Sequence, residues 1–358
     1  MSIDPSTHGD AVLDRLARTA RLRGPEPLAG RLEDLGAQLA QDVGEVDKAL
    51  SEMAAARGDL AERAAGHLLH HPGKRIRASC ALLASRLGPM AAQAPAREAA
   101  IAAELVHAAT LLHDDVIDEG TERRGVEAAR VVYGNSASIL GGDHLLVEAL
   151  RRVHKTGAPA LMSELLQTIA DMVAAEAIQL ERRGIATQDA PDELATTYLA
   201  IARGKTAALF RWALRSGARL SGLASADVDA IGEFGESLGL AFQLVDDALD
   251  LDGDPAVTGK NALADLREGK ITWPLLVALS RDPGIATVMQ DGGDLTAIAA
   301  RDLSAIADRI RATGAARETR AEAARHVKEG LRALAQLPDS PARRAFAALV
   351  EGTLGRER

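Results

Sequence analysis

Aromatic side chains make up only 2% of the 358 residues, and Cys80 is the one cysteine. A chain with so few rings, whose apolar content is mostly Ala, Leu and Val, favours helix over sheet throughout. A lone cysteine excludes an internal disulfide and fits a reducing compartment, most simply as a small buried side chain. No run of about 18 apolar residues is present to cross a bilayer, and residues 1–10 lack the basic and apolar regions of a signal peptide. The expectation is a cytoplasmic protein. There is no basic excess either: the net charge of -9 argues against a nucleic-acid surface. No strand-like alternation longer than four residues and no solenoid repeat is found. Apolar material, by contrast, is abundant at 47% of residues, ample for a core.

Residues 1–30 carry Pro5, Pro25 and Pro27 and read as a loose tail with a short helix over Val12–Arg21, leaving one all-helical domain over 31–358. Leu32, Leu35, Leu39, Val43, Val46 and Leu50 step by three and four, which predicts an amphipathic helix or a helical pair over 31–70. Further helices are predicted over 78–90, from Pro95 to the aspartates near 114, and near 136–154, 159–183, 191–216, 226–251, 295–312, 315–335 and 340–352. Residues 253–274 read as a loop. The fold class is all-α, a single-domain bundle of about a dozen helices around a central cavity.

Two stretches carry the chemistry. In LLHDDVIDEGTERRG, residues 111–125, Asp114, Asp115 and Asp118 fall at i, i+1 and i+4 of a helix, followed by Arg123 and Arg124. The pattern repeats 132 residues later as Asp246, Asp247 and Asp250 in FQLVDDALD. One Asp-rich turn is usually a solvated helix face. Two copies, each behind an apolar run, are not so easily dismissed, because like charges at i,i+4 cost a helix roughly 0.2–0.5 kcal/mol. A cation should offset that repulsion. Carboxylate-only sets suit hard ions, and Mg²⁺ prefers one or two carboxylates completed by waters and phosphate oxygens. With Arg123 and Arg124 alongside, the third party is a diphosphate.

Other basic residues gather at breaks. Lys74, Arg75 and Arg77 crowd the helix start after Pro72-Gly73, where anions are favoured. His107 lies seven residues, about two turns, before Asp114. Gly204 loosens a helix in mid-run, with Lys205 and Thr206 next. A P-loop would need a glycine at 199, where this chain has Leu, so a nucleotide loop is set aside.

GKRIR at 73–77, the two aspartate stretches, GKT at 204–206 and GK…DLREGKIT at 259–272 together resemble the trans-type isoprenyl (polyprenyl) diphosphate synthases, over about residues 30–350. The resemblance implies an isoprenoid-synthase fold and condensation of isopentenyl diphosphate with an allylic prenyl diphosphate. It implies that all six aspartates hold about three Mg²⁺ ions. Arg123, Lys205 and Lys260 would contact the allylic diphosphate, with Lys270 further along the same segment. Lys74, Arg77, His107 and Arg124 would hold isopentenyl diphosphate, and Thr206 and Gln243 would line the reacting carbons. A homodimer is expected from the family, with transient membrane contact as a hydrophobic product leaves. The chain departs from the family pattern at Pro72, where a glycine is common, at Ala78, where proline is usual, and at Trp273, where leucine is frequent.

By the same resemblance, positions before the first aspartates shape the tunnel for the growing product. These are Ala109 and Thr110, then Val106 a turn below, with Leu146 and Leu150 as the floor. None is aromatic, and a helical turn of ~5.4 Å is roughly the depth of one isoprene unit. The product should therefore be long, about thirty-five to fifty carbons, such as a quinone side chain; the alternative is a geranylgeranyl or farnesyl diphosphate synthase. A class I terpene cyclase is disfavoured by the second aspartate cluster, Lys74 and Arg77. A non-catalytic partner subunit is disfavoured because all six aspartates are present.

Overall fold

A computed structural model of the full chain describes residues 26–55, 58–71, 73–183, 191–252, 264–291 and 300–354. Helices dominate: α1 (Glu26–Ala54), α2 (Leu60–Leu69), α3 (Ile76–Ala84), α4 (Gln93–Ile117), α5 (Ala129–Tyr133), α6 (Asn135–Lys155), α7 (Pro159–Glu181) and α8 (Pro191–Ala202). A π-turn, Arg203–Ala207, leads into α9 (Ala208–Leu220). There follow α10 (Ser225–Asp252), α11 (Ala264–Arg267), α12 (Trp273–Arg281), α13 (Gly284–Asp291), α14 (Ala300–Ala312), α15 (Ala315–Leu334) and α16 (Pro341–Leu354). Between α4 and α5 sits a hairpin of β1 (Glu122–Arg123) and β2 (Val126–Glu127).

The fold class is all-α, as expected. The 31–70 pattern resolves into the pair α1 and α2, because Asp59 caps α2 by accepting the Glu62 N–H at 3.0 Å. The helix expected over 78–90 stops at Ala84, and α5 and the hairpin lie where only loop is predicted. Helix α11 falls within the expected 253–274 loop, and α12 and α13 occupy a stretch left unassigned. The Val12–Arg21 segment, Pro72 and Lys260 lie outside the described residues.

The chain forms two compact units. The first draws on Met1–Leu166, Leu209–Glu233 and Ala333–Gly352, the second on Gln167–Ala208, Phe234–Arg332 and Thr353–Arg358. In the first, Leu39, Val43, Val46 and Leu50 of α1 are buried, as their spacing requires. Helix α4 is lined with buried alanines, including Ala99, Ala102, Ala103 and Ala109, and α6 packs on it more extensively than any other described pair of elements. The small side chains permit that approach, and Leu105, Leu112 and Leu145 fill the seam at about 1.5–3 kcal/mol each. The Ser138 hydroxyl fixes its register by donating to the Leu112 carbonyl at 2.8 Å. Cys80 is fully buried on α3, and burial pushes its thiol up to about 12, so it acts as packing.

In the second unit, the helix loosened at Gly204 makes the π-turn. A Cβ on Gly204 would lie 2.6 Å from the Ala175 Cβ and 2.8 Å from the Asp171 carbonyl, so only glycine lets this turn lie against α7. No helix among the described residues is long and apolar enough to cross a membrane.

Candidate active site

Both aspartate clusters stand at the C-terminal ends of long helices. Helix α4 ends at Ile117 with Asp118 as its cap residue, and α10 ends at Asp252; neither has a basic residue in its last turn. Carboxylates there face the negative end of the helix macrodipole as well as each other. On α10 the Arg311 guanidinium, which donates to the Leu251 carbonyl at 2.8 and 2.6 Å, offsets part of this.

The sequence spacing suggests three carboxylates on one face. The structure separates them the same way in both copies. Asp115 is 1% exposed and Asp247 3%, whereas Asp114, Asp118, Asp246 and Asp250 are only half-buried. The middle aspartate continues the apolar phase: Leu112 and Ala108 precede Asp115 by three and seven residues, and Leu244 and Leu240 precede Asp247, all four buried.

In the first unit, Arg123 donates to Asp115 Oδ1 from Nε at 2.8 Å and from Nη2 at 2.6 Å, while Asp115 Oδ2 is buried without a hydrogen-bond partner. Burial raises the Asp115 carboxyl, and the Arg123 charge works against that rise. The hairpin supplies the arginine. Arg124 (φ 56°) and Gly125 (φ 79°) form its two-residue loop, and positive φ at both central positions matches the right-handed twist of the strands. Arg124 turns to the other basic cluster and donates to the His71 carbonyl. Gly73 admits it, since a Cβ there would meet the guanidinium at 2.9 Å. Burial, then Arg75 beside it, brings Arg124 down to about 10.

The Arg77 guanidinium lies 4.7 Å over the Phe210 ring, and Lys74 is exposed at the mouth of the same loop. His107 is held well below its ordinary value by desolvation and by the charges of Arg77, Arg124, Arg123 and Arg75. Lys74, Arg77, His107 and Arg124 thus belong to one cationic region of the first unit. Arg75, in the same basic run, points elsewhere. It pairs with Asp47 and with the buried Glu104, whose other oxygen accepts the Ala78 N–H at 3.2 Å. A proline at 78 would have no N–H to give, so the departure from the family pattern there creates a contact.

In the second unit a small open cleft of about 90 Å³ is lined by Lys205, Thr206, Gln243, Asp247, Lys270 and Tyr198, among others. The π-turn places Lys205 against the Glu176 carboxylate and 2.9 Å from Gln179 Oε1, both on α7. The Thr206 hydroxyl donates to Gln243 Oε1 at 2.7 Å, and Gln243 Nε2 donates to Asp247 Oδ1 at 2.8 Å. Asp247 Oδ2 accepts from the Tyr198 hydroxyl at 2.7 Å and the Trp273 N–H at 3.4 Å. The Trp273 ring rests 5.3 Å from that of Tyr198, a contact the family's usual leucine would not make. Asp250 Oδ2 accepts the Asp265 N–H at 3.3 Å, and Lys270 pairs with Glu268 at 2.5 Å. Tyr198, Glu176, Gln179, Asp47 and Glu104 went unnoticed in the sequence. Glu104 had a visible signal: it lies eleven residues, three turns, before Asp115, in phase with the buried stripe.

Burial, then the charge of Asp265, pushes the Asp247 carboxyl up to about 8 against an ordinary 3.8, although three hydrogen bonds pull it down. With the folded value raised, the stability this group contributes is complete below about pH 4 and is lost as the pH rises through about 8. Metal-free protein should therefore lose thermal stability across this range, and Asp247→Asn should flatten the decline. Melting curves in chelator from pH 5 to about 8.5 check this; parallel slopes for the two proteins would refute the buried-acid account.

Among the described residues, no three His, Cys, Asp or Glu side chains converge to hold an ion by themselves. An ion bound at either aspartate cluster would need further oxygens from water or a ligand, and carboxylate oxygens with water and phosphate oxygens are a donor set that suits Mg²⁺. The unpartnered Asp115 Oδ2 and the helix-end placement fit such a cation. Apart from one short hairpin the described chain is helical, and it carries two aspartate clusters towards helix ends with separate basic clusters.

The polyprenyl synthetase family model matches residues 59–293. Octaprenyl diphosphate synthase of Escherichia coli strain K12 is 32% identical over 332 residues, 91% of this chain and 99% of that one. Nonaprenyl diphosphate synthase of Mycobacterium tuberculosis is 34% identical over 295 residues, 81% of this chain and 85% of that one. A polyprenyl synthase from Caulobacter crescentus CB15, solved with calcium and isoprenyl diphosphate, superposes with a TM-score of 0.83 at 31% identity, covering 97% of this chain and 98% of that one. The chain belongs to the polyprenyl synthetase family and is a polyprenyl diphosphate synthase, a prenyltransferase.

Proposed function

We propose that this enzyme extends an allylic diphosphate with isopentenyl diphosphate to a long all-trans product, using about three Mg²⁺ ions held by the six aspartates Asp114, Asp115, Asp118, Asp246, Asp247 and Asp250. The observation that carries this reading is the placement of Asp114, Asp118, Asp246 and Asp250, half-buried at helix C-termini with no basic residue in the last turn. Asp115 and Asp247 complete the six as buried braces that orient the outer pairs. Bound Mg²⁺ would stabilise the charge that develops on the departing diphosphate.

The chain's own residues do the rest. Arg123, Lys205 and Lys270, which pair with Asp115, Glu176 and Glu268 in the free enzyme, would turn with Lys260 to the allylic diphosphate, and their charge would favour the breaking of its C–O bond. Lys74, Arg77, Arg124 and neutral His107 hold the second diphosphate. Its double bond attacks the allylic carbocation to form the new C–C bond, and the adjacent carbon gives up a proton to the released diphosphate, leaving the longer allylic diphosphate. Thr206 and Gln243, bonded to each other, line the reacting carbons. The apolar surroundings exclude water, which would quench the cation.

Product length is set by α4. Val106 and Ala109 are buried, and the Thr110 hydroxyl is spent on its own helix, donating to the His107 carbonyl at 2.8 Å. This face offers no bulky stop, and Leu146 and Leu150, half-buried on α6, form the floor. The octaprenyl and nonaprenyl relatives support a product of about thirty-five to fifty carbons, roughly one helical turn per unit. Ala109→Phe should shorten the product by at least one unit, read by chromatography of the dephosphorylated alcohols; an unchanged distribution would sink the tunnel assignment. The primary assay incubates protein and Mg²⁺ with labelled isopentenyl diphosphate and ten-, fifteen- or twenty-carbon allylic diphosphates. A ladder ending above thirty carbons supports the reading, and a stop at twenty replaces it with a geranylgeranyl diphosphate synthase. Exposed Ile139, Leu140 and Val147 on α6 support a homodimer, and buried Cys80 a cytoplasmic setting, with product release at a membrane surface.

A further inference from the structure

The basic run at 74–77 holds three cations, but its middle one is not available to a ligand. The Arg75 side chain is 7% exposed; its Nε donates to Asp47 Oδ1 at 2.7 Å on α1, and its Nη1 to Glu104 Oε2 at 3.4 Å on α4. Its backbone lies in the left-handed region, φ 52° and ψ 32°, which a side chain with a Cβ rarely adopts unless its surroundings hold it there. Arg75 is also the cap residue of α3, and makes no side-chain cap bond of its own. That task falls to Glu104, 4% exposed, which takes the Ala78 N–H on one oxygen and the Arg75 guanidinium on the other.

One carboxylate on α4 therefore fixes both the first turn of α3 and the residue that reverses the chain into it. Glu104 stands one helical turn before His107, on the helix that leads to the aspartates. It is also the negative charge that favours protonated Arg124 in a neighbourhood of Arg75, Arg77 and Arg123.

We infer that Arg75, clasped by Asp47 and Glu104, is a positioning residue that holds the 73–77 loop in the conformation presenting Lys74 and Arg77 to isopentenyl diphosphate. This rests on the assignment of Lys74 and Arg77 to that substrate. Arg75 touches no substrate. Without the clasp the loop spends only part of its time in the competent form, so apparent affinity falls by that fraction, whereas a bound substrate reacts as before.

The test is steady-state kinetics with each substrate varied in turn. Arg75→Gly keeps the left-handed backbone accessible and deletes the clasp. It should raise the KM for isopentenyl diphosphate about tenfold or more, with kcat and the allylic KM within about twofold; Arg75→Lys should recover part of the loss. An unchanged isopentenyl KM overturns the inference, as does a parallel rise of both KM values with a lowered melting temperature, which would make Arg75 merely structural. If Arg75→Gly does not fold, Asp47→Asn, at the outer and 32% exposed partner, decides. A severalfold rise in isopentenyl KM at unchanged melting temperature supports the clasp, and no rise overturns it. Arg77→Ala tests the underlying assignment: if it leaves the isopentenyl KM unchanged, the site itself is wrong. A rise for Arg77→Ala without one for Arg75→Gly removes only the positioning role.

Discussion

Asp114→Ala is expected to lower turnover by at least about a hundredfold and, in the same protein, to raise the melting temperature measured in chelator. The two effects have one cause. Asp114 sits in the last turn of α4, four residues before Asp118, and no basic residue is present in that turn to offset either. Removing it relieves a like-charge pair, roughly 0.2–0.5 kcal/mol, and an unfavourable charge at the negative end of the helix, about 0.3–1 kcal/mol. Because the side chain is half-buried and not packed in the core, its truncation leaves no large cavity. Activity assays in Mg²⁺ paired with melting curves in chelator check both halves. Near-normal turnover would falsify the metal assignment, while a lower melting temperature would show that the carboxylate supports the fold. Asp246→Ala should lower turnover alike but gain less stability, since Asp246 lies six residues before the end of α10 and Arg311 donates to the Leu251 carbonyl there.

Arg123→Ala should be the more damaging to the fold. Asp115 is 1% exposed, and Arg123 supplies the two hydrogen bonds to its Oδ1. Breaking a buried pair from one side costs about 3–5 kcal/mol, because the remaining charge is left without compensation. Arg123 is itself one-third exposed, so water will recover part of this, and about 3 kcal/mol is the expected loss in denaturant unfolding. Asp115 should respond by taking up a proton, burial then acting unopposed by the arginine. The double variant Arg123→Ala with Asp115→Asn should regain most of the stability and none of the turnover. If the double variant is as unstable as the single one, the destabilisation does not come from the stranded carboxylate.

Much of the fold was legible because its breaks are chemical. Gly157 and Pro159 separate α6 from α7, Gly314 precedes α15, and Pro338 lies between α15 and α16. The hairpin escaped notice because two residues per strand carry no period. Helix α12 went unassigned because Pro274 closes the stretch read as a loop, although proline suits a helical first turn. The site was legible as residue types and only partly as roles. Asp115 and Asp247 share letters with their neighbours, but a step of about 100° per residue puts each in phase with buried leucines. That could have been read in advance. The clasp on Arg75 could not, since nothing local announces that Asp47 and Glu104, 28 and 29 residues away, meet at one guanidinium.

The π-turn at Arg203–Ala207 makes the length of the chain there as specific as its composition. Such a turn accommodates one residue more than an α-helix would in the same span. A deletion of Arg203 or Gly204 would let α8 run straight into α9, rotating the downstream helix by about 100°. Lys205 and Thr206 would be carried away from Gln179 and Gln243 with every contributing side chain still present. Exchange of the exposed Arg203 should be tolerated where a single-codon loss is not, so this stretch is expected to vary among descendants by substitution and never by length.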